Sequence, residues 1–313
     1  MKFFKLLLFC SLFLLSSCSN QNFQQDIGKL SIVATIFPQY DFSRQIAKEN
    51  ANVEMLLPLG TDSHTFEPTP QDIIKITNSD IFIYTGGESD SWIDSILESI
   101  DTTNTKIINL SDICEVLYTE DVIHDTVHEM AQDEAHHHTI DEHFWTSPKN
   151  AMLICDAINN TLCEIDSENA NDYIKNNEEY KKKLTRLDSD LKSIVNNARR
   201  KTLIFGDRFP FRYFTNEYGL EYISAFSGCS HDSEPSIQTI KKLIDTVNTQ
   251  KLPVVFYTDG SNNNITDTIV AETGAKKRLF HSCHNLTKEE FQSGITYLKL
   301  MQNNAAVLEE ALN

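Results

Sequence analysis

At 313 residues, 40% of them hydrophobic, the chain has the length and apolar content for two lobes with real cores, which excludes a disordered or stapled mini-domain class. Its 27 basic and 45 acidic side chains give a formal net charge of −18, which argues against nucleic acid as a partner and is compatible with a cationic ligand. Seven cysteines without CxxC spacing make neither a structural zinc ribbon nor a disulfide framework.

The opening MKFFKLLLFCSLFLLSSCSN places Lys2 and Lys5 before an apolar run from Leu6 to Leu15. That run is too short for a membrane span and predicts a signal peptide over residues 1–17. Leu15-Ser16-Ser17-Cys18 resembles a bacterial lipobox, so Cys18 is the expected lipidated first residue of the mature protein. Acyl chains there would hold the protein on a membrane surface without a spanning helix. Loss of Lys2 and Lys5 with the leader takes the net charge to −20. Residues 18–28 read as a polar tether.

Strand and helix patterns then alternate. Strands are expected at Leu30 to Ile36, Val53 to Leu57, Ile81 to Tyr84 and Lys106 to Leu110, with helices over 39–49, from Pro70 behind a Thr69 cap, and from Trp92 to Ile100. Ser147-Pro148 marks a further helix start. Between residues 168 and 199, Tyr173, Tyr180, Leu184, Leu187, Leu191, Ile194 and Ala198 recur at helical spacing, predicting one helix about 45 Å long at 1.5 Å per residue. The second half repeats the alternation, with strands at Thr202 to Phe205, Tyr222 to Phe226, Val254 to Tyr257 and Lys277 to Phe280 and a last helix over 288–312. The expected fold is α/β: two lobes, 29–167 and 200–313, each a mostly parallel four-stranded sheet with flanking helices, joined by one long rigid helix at 168–199. In such sheets ligands bind beyond the carboxyl ends of the strands.

The segment 120–142 and its neighbour His143 hold six of the ten histidines among many carboxylates, a composition that suits metal handling more than core formation. His143, just ahead of a helix start, is the residue of this group expected in a defined position. His64 lies in a loop after a strand and His281 ends another strand, so with His143 they form a candidate set closing around one ion. His124, His128, His136, His137 and His138 are expected to act as an auxiliary, weaker metal trap. His128-Glu129-Met130-Ala131-Gln132 begins like a zincin motif but lacks its second histidine, and no other hydrolase signature is present. Asp207 and Asp259 follow strands and read either as ligands or as turn carboxylates. Cys229 and Cys283 also follow strands, as a possible disulfide, buried thiols or ligands; His231 and His284 stand beside them without an assigned role.

Four stretches carry a resemblance: GTDSHTFEPTPQD around His64, DEHFWTSPKNA around His143, the long helix, and the spaced run YFTNEYGLEY, SEPS, AETGAK and TYLKLM. From about Lys29 onward the chain resembles the ZnuA/TroA-like lipoproteins that deliver zinc or manganese to bacterial ABC importers. The resemblance implies two α/β lobes joined by a helix, an ion held between them, no enzymatic activity, an extracytoplasmic lipid-anchored protein, and an ABC permease as partner; a monomer is the simplest expectation. It carries His64 and His143 directly onto ligand positions, puts Arg208 at a third with Asp207 beside it as the substitute, and puts His281 at the last. A nitrogen-rich set favours Zn2+, with Mn2+ as the alternative ion. A metal-binding adhesin and, less favoured, a zinc-dependent hydrolase are the competing classes.

Overall fold

The computed structural model describes residues 28–118, 140–226 and 235–313. Strand β1 (Leu30–Ala34) leads into helix α1 (Phe37–Ala47), and β2 (Ala51–Met55) is followed by α2 (Pro70–Thr77). After β3 (Ile81–Tyr84) come α3 (Ser91–Ser99) and β4 (Lys106–Asn109). All pairs are parallel, in the order β2-β1-β3-β4. Helices α4 (Pro148–Ile165) and α5 (Ala170–Asn196) then lead to the second half, which holds β5 (Thr202–Phe205), α6 (Arg212–Tyr218), β6 (Glu221–Ser224) and α7 (Ile237–Gln250). Next come β7 (Val254–Tyr257), α8 (Asn264–Thr273), β8 (Lys276–Leu279), α9 (Lys288–Ser293) and α10 (Tyr297–Leu312). The second sheet, β6-β5-β7-β8, is also parallel and repeats the strand order of the first. The α/β expectation of two four-stranded parallel sheets with flanking helices holds.

Local chemistry explains most boundaries. Thr69 caps α2 in a reciprocal box: its hydroxyl accepts from Asp72 N while the Asp72 carboxylate accepts from Thr69 N at 3.0 Å. Helix α1 starts two residues earlier than the sequence suggests, because Pro38 belongs in a first turn, where no N–H is needed. The single helix expected over 288–312 is two: Gly294, at φ 69°, ends α9 in a left-handed cap before Thr296 opens α10.

Helix α5 buries Tyr173, Tyr180, Leu184, Leu187, Leu191 and Val195; Ile194 and Ala198 of the expected seam are only partly buried. One core runs unbroken from Ile32 and Ile83 of the first sheet, through Phe42, Trp145 and Leu184, to Phe205 and Phe256 of the second. Phe42 of α1 meets Tyr297 of α10 edge to face at 4.8 Å. The long helix is therefore one wall of a shared core more than a bridge between separate ones. Among the described residues no helix is long and apolar enough to cross a membrane.

Leu184 is fully buried in that wall. Leu184→Ala is expected to lower stability by about 2–5 kcal/mol, read as a shifted denaturation midpoint at unchanged slope; a loss below about 1 kcal/mol would contradict a tightly packed shared core.

Candidate metal centre

Three loops at the carboxyl ends of strands converge where the halves face each other. After β2 the chain makes a short 3-10 turn over Ser63–Thr65, capped by Asp62, whose Oδ1 accepts from His64 N at 3.1 Å. A second 3-10 turn, Phe144–Thr146, follows His143 and leads to Ser147, whose hydroxyl accepts from Asn150 N at the start of α4. After β8, Cys283 takes φ 60° and turns the chain so that His284 faces the first lobe.

Among the described residues His64, His143 and His284 form the one group that could hold a metal ion, each offering a ring nitrogen within 4.8 Å of the others. Their ring centroids lie 6.2, 5.8 and 5.6 Å apart, and Trp145 packs under His143 and His284 at 5.4 and 5.1 Å. Each imidazole is tied through a second contact. Asp141 Oδ1 accepts from His143 Nδ1 at 2.9 Å, which leaves Nε2 of that ring as the lone-pair donor. Ser89 Oγ pairs with His64 Nδ1 at 2.6 Å, and Ser63 Oγ pairs with His284 Nε2 at 2.6 Å. Glu142 supports the arrangement from behind, its Oε1 accepting from Ser89 N at 2.7 Å. Gly87, at φ 111°, leaves space for it: a Cβ there would meet Glu142 Cγ at 2.6 Å. Burial first, then the neighbouring His143 and His64, hold the His284 pKa well below the ordinary imidazole range, so this ring stays neutral.

Two residues expected in the set lie outside it. His281 is buried and held elsewhere: Asn304 of α10 accepts from its backbone N and donates to its carbonyl, both at 2.8 Å, and its Nδ1 accepts from Cys283 N at 2.9 Å. Its Nε2 faces Glu290 Oε1 at 3.4 Å. Asp207 acts as a turn carboxylate, accepting from Thr258 N at 3.1 Å, Thr258 Oγ1 at 2.8 Å and Arg208 N at 2.8 Å. Arg208 crosses to the first lobe and pairs with Asp62 at 3.0 Å. The member missed from sequence is His284. Its signal was the HSCH spacing, which places a second imidazole three residues after His281 beyond a sharp turn. Among the described residues Cys283 is a free, fully buried thiol; its possible disulfide partner, Cys229, lies outside them. Cys18, Cys229, His124, His128, His136, His137 and His138 lie outside the described residues.

Three imidazole nitrogens suit a borderline-soft divalent ion. A tetrahedral ion with bonds of about 2.1 Å sets its ligand atoms about 3.4 Å apart, so the triad needs only a modest contraction. The triad lines a cleft of about 830 Å³ that is also walled by Asp62, Arg208, Phe226, Thr258 and Ile265.

A family model described as ZnuA, zinc-uptake complex component A, periplasmic, matches residues 32–311. The chain belongs to this family. The family is one of transport components, not enzymes. Zinc-binding lipoprotein AdcA of Streptococcus pneumoniae is 31% identical over 302 residues, covering 96% of this chain. The chain spans only 59% of that relative's length. High-affinity zinc uptake system protein ZnuA of Bacillus subtilis is 29% identical over 303 residues, 96% of this chain and 94% of that one. Among solved structures, the zinc-bound ZnuA-like domain of S. pneumoniae AdcA superposes with a TM-score of 0.74 at 27% identity, covering 91% of this chain and 99% of that domain. The metal-dependent lipoprotein YcdH of B. subtilis gives 0.76 at 28% identity, with 91% and 100% covered.

The His281–Glu290 pair beside the centre has a pH signature of its own. Burial lowers the His281 pKa, but Asp259 and Glu290 outweigh it and the net shift is upward; the contact with His281 draws Glu290 down to about 2. Glu290's contribution is present above its unfolded value near 4.5 and lost as pH falls towards 2. That of His281 is present below its unfolded value near 6.5 and lost as pH rises through its higher folded value. Glu290→Gln keeps a capping side chain for α9. It is expected to destabilise the metal-free protein by about 1 kcal/mol between pH 4.5 and 6.5 and by less at pH 8, measured by denaturation across pH. A difference that does not vary with pH would count against the pair.

Proposed function

We propose that the protein captures a single zinc ion on His64, His143 and His284, between the two lobes, and passes it to the permease of an ABC importer. The triad of pre-oriented imidazoles carries this reading, and the family membership supports it. The fourth ligand is a water or an oxygen from the cleft side. An all-nitrogen protein set favours zinc over manganese, which prefers carboxylate oxygens and higher coordination. The protein works outside the cytoplasm, held to the membrane through lipidated Cys18 after loss of residues 1–17, and functions as a monomer of two lobes, 29–167 and 200–313, around the 168–199 helix. The His/acid-rich segment 120–142 serves as a weaker, auxiliary zinc trap.

Competition against a chromophoric chelator tests the ligand assignment. Structural zinc sites bind with roughly 10–16 kcal/mol spread over four ligands, so losing one imidazole costs about 3 kcal/mol, on the order of 100-fold in affinity. His284→Ala is expected to lose about that much, while His281→Ala keeps affinity within a few-fold of the parent. The reverse ranking would reinstate His281 as the ligand. Because protons compete with the ion for imidazole nitrogen, affinity should also fall as pH drops through about 6. A profile flat from pH 5 to 8 would refute imidazole ligation.

A further inference from the structure

Residues 117–118, ahead of the His/acid-rich segment, meet residues 140–141 beside the metal centre, and a residue from the opposite lobe holds them. Tyr118 and Ile140 form an isolated antiparallel bridge. In a regular ladder the flanking pair, Leu117 and Asp141, would exchange two backbone hydrogen bonds. One is made: Asp141 N donates to Leu117 O at 2.8 Å. In place of the other stands the hydroxyl of Tyr213, from α6 of the second lobe. It accepts from Leu117 N at 2.9 Å and donates to Asp141 O at 2.8 Å. The Tyr213 ring is 4% exposed and packs on Phe144, next to His143, with centroids 5.0 Å apart.

Asp141 is also the residue that aims His143. Its Oδ1 accepts both from His143 N at 3.0 Å and from His143 Nδ1 at 2.9 Å. The backbone carbonyl and the carboxylate of one residue thus join the second lobe to a first-lobe imidazole. We infer that Tyr213 is a positioning residue for the metal centre, its hydroxyl setting the place of Asp141 and, through that carboxylate, the aim of His143. The inference rests on the zinc-binding reading above. Without the hydroxyl, Leu117 N and Asp141 O either remain unbonded or close onto each other to about 2.9 Å, and closing draws Asp141 off the line of the His143 ring.

Tyr213→Phe keeps the ring and its packing and removes only the hydroxyl. Zinc affinity is measured by chelator competition for the parent protein, Tyr213→Phe, Asp141→Asn and the double variant, alongside the nitrogen-15 resonance of His143 Nδ1 in the metal-free parent and Tyr213→Phe proteins. Removing the partner that orients a ligand costs 10–100-fold in affinity, so Tyr213→Phe, one contact further out, is expected at about tenfold. The double variant should bind no more weakly than Asp141→Asn alone, because Tyr213 acts through Asp141. The His143 Nδ1 resonance should shift towards that of an imidazole lacking a carboxylate partner. Parent-like affinity in Tyr213→Phe, or losses that multiply in the double variant, would overturn the positioning role. Absence of tight zinc in the parent would instead overturn the proposed function, and the metal-free His143 resonance alone would then decide the inference, an unshifted signal sinking it.

Discussion

Three imidazoles from two lobes are held close together, each tied through a second contact, and the candidate metal centre depends on that arrangement. A proton on any ring would set a charge in a partly desolvated cluster and remove a lone pair from it. Each ring is fixed in place through another contact. Asp141, Ser89 and Ser63 provide those contacts for His143, His64 and His284. The adjacent acids Asp141 and Glu142 serve both first-lobe histidines, Asp141 directly and Glu142 by holding Ser89 N. A dipeptide at the end of the acidic segment is thereby tied to the geometry of the site.

The second-lobe imidazole reaches the first lobe because its turn is stitched there on both sides. Trp145 Nε1 donates to Ser282 O at 2.8 Å, and the Trp145 carbonyl accepts from Tyr297 Oη at 2.5 Å. Beyond His284, Asn285 Nδ2 donates to the carbonyls of Pro58 and Thr61, and Gly60 N donates to Leu286 O at 2.9 Å. With one core running from sheet to sheet, these bonds give the lobes a defined relation. Contraction of the triad around an ion can then come from side-chain rotation, with little need to bend α5.

Much of this was legible in the sequence. The sequence pattern placed all eight strands to within two residues; the central ones, β1, β3, β5 and β7, read as apolar segments because neighbours cover both their faces, while the edge strands, such as the KKRL of β8, were placed by the alternation with helices. His64 and His143 were legible because Gly60, Pro58 and the Ser147-Pro148 start put them in loops of constrained shape. The choice between His281 and His284 was not. Both sit in the same short loop, and the choice depends on a left-handed turn at Cys283 and on Asn304 and Glu290, which come from later helices. Spacing along the chain carries no record of such partners. The split of the last helix followed from Gly294, a glycine whose φ 69° is a cap conformation, not a tolerated interior residue. Tyr213 opens the YFTNEYGLEY stretch, but nothing in that stretch signals its role, which depends on a hydroxyl reaching the opposite lobe.

Anomalous diffraction at the zinc edge, from crystals of the protein loaded with one equivalent of zinc, tests the central claim most directly. A single strong peak about 2.0–2.1 Å from one ring nitrogen each of His64, His143 and His284 is the expected result. A peak bonded to His281, or coordination that omits His284, would contradict it.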